Sequence, residues 1–138
     1  MKLNKLSLKD KKIFTKYLSL SKHEPSVFAF ENIYIWKGIF DIYWANIQDA
    51  LCIFFKDKTG SFLYIPPQGV KLSPEVIGQA FIIMDKFNKN KDISRIENVE
   101  EKDLSFYQDL GYECVYKSCD YLCKRENLAQ LKGNRFKP

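Results

Sequence analysis

The side chains that could do chemistry are few and far apart in the sequence. His23 is the sole histidine, and it stands in the polar break SKHEP with no nucleophile beside it. Nucleophile–histidine–acid chemistry is therefore not expected, and His23 reads as a surface-loop residue. The four cysteines are Cys52, Cys114, Cys119 and Cys123. The last three form no repeated CxxC pair and have no partner histidine, so a zinc site would have to recruit Cys52 from a distant strand. No metal centre is expected. Cys119 and Cys123, an even number of positions apart, would share one face of a strand and pack as small apolar groups. The basic residues fall into three groups: Lys9, Lys11 and Lys12; Lys86, Lys89 and Lys91; and Lys132, Arg135 and Lys137. If these groups converged they would attract the phosphates of tRNA or an anionic lipid headgroup, and otherwise they are a solvated face.

Composition narrows the classes that could carry such residues. The chain has 138 residues, 46% apolar and 15% aromatic, which excludes a disordered tail and provides for a core without disulfides or metal. One domain over 1–138 is expected. Lys plus Arg is 22 against 17 Asp plus Glu, a formal charge of +5, compatible with an anionic partner without requiring one. The longest charge-free run, Thr59 to Val70, contains Pro66 and Pro67 and falls short of the ~20 apolar residues a membrane helix needs. The lysines of MKLNKLSLKDKKIF interrupt the apolar core of any export signal, so a cytoplasmic location with reduced thiols is expected.

The elements that must position these residues follow from periodicity. Ser7 with Asp10 three residues later predicts a capped helix over Leu8–Leu20, with Ile13, Phe14, Tyr17 and Leu18 on one face. Val27, Phe30, Ile33, Tyr34 and Lys37 suggest a second helix, although their aromatic content would also suit a strand. DIYWANI, ALCIFF and SFLYI, separated by Gln48-Asp49 and by Asp57-Lys58-Thr59-Gly60, read as three antiparallel strands. Ser73 and Pro74 open the clearest helix, whose stripe is Val76, Ile77, Ala80, Phe81, Met84 and Phe87. SRIENV reads as a short strand, and EEKDLSFYQDLG as a helix terminated at Gly111. YECVYKS and CDYLCK read as strands, and ENLAQLKG as a closing helix. A mixed α/β (α+β) sheet covered by helices buries all these apolar faces.

The segment Phe106-Tyr107-Gln108-Asp109-Leu110-Gly111-Tyr112-Glu113, together with this element order, resembles the helix-to-strand junction of the GNAT acyltransferase fold, where an FYxxxGFE-like stretch is common. Asp120-Tyr121-Leu122 followed by Leu128 to Phe136 resembles uncharacterised bacterial proteins related to the C-terminal domain of phosphatidylglycerol lysyltransferases. Those proteins carry two GNAT-like lobes in tandem. The resemblance implies that this chain is the first lobe, a structural or substrate-recognition half, and that a second lobe of the same protein follows. In that family the second lobe is the better candidate for aminoacyl transfer from a charged tRNA to a lipid or another amine.

The resemblance also nominates residues. GNAT enzymes hold the pyrophosphate of acetyl-coenzyme A on backbone N–H groups between the fourth strand and the long helix, with a Q/RxxGxG/A pattern. The equivalent stretch here is Pro66-Pro67-Gln68-Gly69-Val70-Lys71-Leu72-Ser73, which makes Gln68 and Gly69 the cofactor candidates. Two prolines lack donors and the second glycine is missing, so no cofactor is expected in this lobe, and PPQG reads instead as a simple turn between strand and helix. Tyr107 occupies the place of a tyrosine that protonates the departing thiolate. Its spacing with Leu104 and Leu110 makes it a core-facing aromatic instead. Two alternatives to the recognition lobe remain: a self-sufficient acetyl-CoA-dependent N-acetyltransferase with Tyr107 as acid, and a non-enzymatic module binding tRNA or an anionic surface.

Overall fold

The β-branched and aromatic runs between Asp41 and Leu63 form the sheet on which the other elements pack. The computed structural model describes residues 2–118 and 125–130. Among them four strands pair antiparallel in the order β1 (Asn4–Lys5), β2 (Asp41–Ile47), β3 (Ala50–Lys56) and β4 (Ser61–Leu63). The helices are α1 (Lys11–Leu18), α2 (Phe30–Tyr34), α3 (Pro74–Phe87), α4 (Leu104–Asp109) and α5 (Arg125–Gln130). The architecture is thus mixed α/β, as the element pattern predicts.

The β2–β3 register is set by a two-residue turn. Gln48 and Asp49 adopt φ of 48° and 60°, and Ile47 pairs with Ala50. Two successive left-handed residues match the right-handed twist of the flanking strands. The Asp49 amide donates to Asn46 Oδ1 at 3.0 Å. At the other end of β3, Asp57 Oδ1 accepts from the Thr59 amide at 2.8 Å and its hydroxyl at 2.6 Å.

Alternation along β3 divides the core in two. Leu51, Ile53 and Phe55 face a cluster with Phe14, Leu18, Phe30 and Ile33 of α1 and α2. Ala50, Cys52 and Phe54 face a second cluster with Val76, Ala80 and Met84 of α3. One strand is therefore buried on both faces, with α1 and α2 on one side of the sheet and α3 on the other. Each fully buried Leu, Ile or Phe contributes ~1.5–3 kcal/mol of transfer free energy, so this strand is the energetic centre of the fold.

Local signals explain the helix ends. The Ser7 amide and hydroxyl donate to Asp10 Oδ2 at 2.8 and 3.0 Å, and a single 3-10 turn at Leu8–Asp10 leads into α1. Ser73 is extended at the N-cap of α3 and Pro74 takes the first helical position. Gly111, at φ of 84°, ends α4, as its freedom in the left-handed region predicts.

Four expectations are corrected. The helix over Val27–Lys37 is broken into a 3-10 turn at Ser26–Phe28, α2, and another 3-10 turn at Ile35–Gly38. Ala29 between the first two is extended, at φ −104° and ψ 140°. SRIENV makes only one bridge, Leu63 with Ile96, and that bridge is parallel; the run then turns at Asn98, φ 55°. YECVYKS is not a strand. Residues 113–118 are exposed on both alternating sets and pair with no strand among the described residues, so the alternation does not build a ladder there. Finally, Asn4–Lys5 is a strand although no strand is expected there; two residues are too few to leave a periodic signal. CDYLCK, with Cys119 and Cys123, lies outside the described residues, as do Lys132, Arg135 and Lys137.

Candidate functional site

The loop from Tyr64 to Ser73 leads from the fourth strand to the long helix. Its path departs from β4 because Pro66 and Pro67 cannot donate to a ladder. Leu63 pairs with Phe54, whereas the next bridge joins Gln68 to Leu51. Five residues on one strand therefore oppose three on the other. Beyond this bulge the Gln68 amide donates to the Leu51 carbonyl at 2.9 Å, and the Leu51 amide to the Gln68 carbonyl at 2.8 Å. Gly69 packs tightly on the β2–β3 turn, and an added Cβ would lie 3.0 Å from the Asp49 carbonyl oxygen.

The Gln68 side chain is buried, 6% exposed. Its Nε2 donates to the Pro66 carbonyl at 2.8 Å, which turns Oε1 toward His23 Nε2, also 2.8 Å away. The opposite ring nitrogen, Nδ1, lies 2.5 Å from Glu100 Oε1. The imidazole stacks on Phe28 with centroids 3.8 Å apart and planes 5° apart. His23 is thus no surface-loop residue: its side chain is 9% exposed and that of Glu100 13%. Lys102 straps the same corner, its Nζ donating to the Lys22 carbonyl at 2.6 Å and lying 3.6 Å from Glu100 Oε1. The expectation failed because the partners of His23 are 45 and 77 residues away, and no local pattern announces them.

Tyr107 lies on the other side of the sheet. The Tyr112 amide donates to its carbonyl at 3.1 Å, and Tyr112 stacks on Phe81 of α3 with centroids 4.9 Å apart. Tyr107 is 4% exposed, and its hydroxyl is buried with no hydrogen-bond partner among the described residues. Burial, then the neighbouring Asp103, Cys52 and Cys114, push its phenol above the ordinary value. The core-facing reading of its helical stripe therefore holds. The Gln68 side chain, bound with His23 on the α2 face, and the Tyr107 hydroxyl are not brought together.

Cys52 is fully buried against α3, and burial pushes its thiol up to about 12, whereas Cys114 is exposed. Among the described residues no three His, Cys, Asp or Glu side chains are grouped to hold a metal. The two basic groups within the described residues do not share a face. Lys11 and Lys12 are on α1 with Lys9 just before it, Lys86 is on α3, and Lys89 and Lys91 follow α3, so the sheet stands between the two groups. Lys11 is also paired with Glu31 at 2.6 Å. No helix among the described residues is long and apolar enough to cross a membrane. In comparisons with protein-family models, curated proteins and solved structures, nothing matches this chain.

Proposed function

We propose that the chain is a GNAT-like lobe related to the phosphatidylglycerol lysyltransferase family, acting as the structural or substrate-recognition half of an acyl or aminoacyl transferase. In this reading it has no donor site of its own and works beside a second lobe. The observation that carries it is the state of the loop between β4 and α3. A coenzyme A pyrophosphate needs outward-facing backbone N–H groups near a helix start. Here Pro66 and Pro67 have none, the Gln68 amide is engaged by Leu51, and the Gln68 side chain is engaged by His23 and Pro66.

The element order adds support. With β1 counted, β4 is the fourth strand, α3 is the long helix after it, and the chain then returns parallel beside Leu63 at Ile96. FYQDLGYE begins in α4, but residues 112–118 are not a strand, so the helix-to-strand junction of the resemblance is not formed there and lends the reading no support.

Calorimetric titration of the protein with acetyl-coenzyme A tests the reading. No detectable heat is expected. Micromolar binding would overturn it in favour of the self-sufficient acetyltransferase, and the acceptor amine would then be the next question.

A further inference from the structure

The corner built by His23, Gln68 and Glu100 has a proton count that can be read from its geometry. Gln68 Nε2 donates to the Pro66 carbonyl, so Gln68 presents its oxygen to His23, and His23 Nε2 must carry a hydrogen to bond it. A neutral imidazole has one N–H, and Nε2 has used it. Yet Nδ1 lies 2.5 Å from a carboxylate oxygen of Glu100. A bare Nδ1 lone pair facing a bare carboxylate at that distance is repulsive, and doubly so where water is largely excluded. The contact is satisfied when a second proton, carried on Nδ1, is shared with Oε1.

Among the described residues no other group donates to this contact at hydrogen-bond distance. From the loop of Gln68 comes only a neutral amide, and from the Ser26–Phe28 turn an aromatic face. From the segment before α4 come Glu100 and Lys102, with Lys102 Nζ 3.6 Å from the same carboxylate oxygen and bound to the Lys22 carbonyl at 2.6 Å. Lys22 and Glu24 flank His23 in its own loop.

We propose that one proton shared by His23 and Glu100 latches three distant segments, around residues 23, 68 and 100, and that the latch releases when the proton leaves. This inference is independent of the transferase reading. The latch is closed only while that proton is in place. The stability it confers is present at low pH and is lost as pH rises. For one proton the unfolding constant climbs by at most tenfold per pH unit.

The test is nuclear magnetic resonance of the whole protein with nitrogen-15 in its single histidine, from about pH 5.5 to 9.5, alongside denaturant unfolding at each pH. Both ring nitrogens are expected to be protonated in the latched protein, with loss of the Nδ1 proton accompanying the rise in the unfolding constant. Glu100→Gln supplies an N–H that donates to a neutral Nδ1 without the extra proton, so that rise should vanish while the fold persists. An unprotonated Nδ1 throughout the range in a fully folded protein would overturn the proposal. So would a Glu100→Gln protein with the wild-type pH profile. Should that variant fail to fold, the histidine spectrum of the natural protein decides alone.

Discussion

Asn88 does for Ser61 what a neighbouring strand would do. Its Oδ1 accepts from the Ser61 amide at 2.6 Å and its Nδ2 donates to the Ser61 carbonyl at 2.8 Å. The same Nδ2 reaches Ser94 Oγ at 2.8 Å, and that hydroxyl donates to Asp85 Oδ1 at 2.6 Å. One side chain just past α3 thus closes the start of β4. It also dictates Gly60, where an added Cβ would lie 2.3 Å from Asn88 Oδ1.

Asn88→Ala should therefore destabilise the protein by ~1–3 kcal/mol, because it leaves the buried Ser61 backbone groups without partners. Chemical denaturation of the two proteins checks this. Hydrogen exchange should show the loss first at the Ser61 amide.

Tyr107→Phe should leave stability unchanged or raise it by up to ~1 kcal/mol. The hydroxyl it removes is buried with no partner among the described residues, and such a group costs free energy where it stands. Thermal unfolding reads the difference. A clear loss of stability would mean that the hydroxyl has a partner in solution.

The two described cysteines should differ sharply toward alkylation. Thiolate is the reacting form, and with its thiol pushed up to about 12 Cys52 should remain unmodified by iodoacetamide at pH 8. Cys114, exposed, should react. Mass spectrometry of the digested protein distinguishes them, and denaturant should abolish the protection.

Glu97 provides an acid-side prediction. Burial alone would push its carboxyl up, but hydrogen bonds from Lys117 and Arg95 outweigh this and hold it below the ordinary value. The folded state thus binds this proton more weakly than the unfolded chain does. The stabilisation is present above the ordinary carboxylate value and fades as pH falls through the lowered one. Glu97→Gln should flatten that acid limb, followed by unfolding between about pH 6 and 3. It should also speed hydrogen exchange near Lys117, which is held to Glu97 at 2.6 Å.

What was legible in the sequence was whatever neighbours in the chain decide. The three runs of β2, β3 and β4 alternate or turn within a few residues, and Ser73-Pro74 marks the start of α3 without help from elsewhere. Gly111 stops α4 by its own backbone freedom. What was not legible depended on partners far along the chain. YECVYKS has the period of a strand but pairs with no strand among the described residues. His23 looks solvated beside Lys22 and Glu24 until Gln68 and Glu100 fold over it. The departure of the chain from β4 was half visible, since the prolines forbid a continuous ladder, but the bridge from Gln68 back to Leu51 was not. Of the nominated site residues, Gln68 and Tyr107 point to opposite faces of the sheet, and one-dimensional spacing carries no information on which face a residue takes after a bulge.

The burial of β3 on both faces also sets a schedule for synthesis. On the ribosome β2 and β3 can pair as soon as both have emerged, because their turn is two residues long. The side with Leu51, Ile53 and Phe55 can then be covered at once, since α1 and α2 have been made before it. The side with Ala50, Cys52 and Phe54 must wait for α3. At translation rates of ~5–20 residues per second, the nascent chain shows a greasy half-finished face for one to a few seconds. That interval is when a chaperone would find its grip.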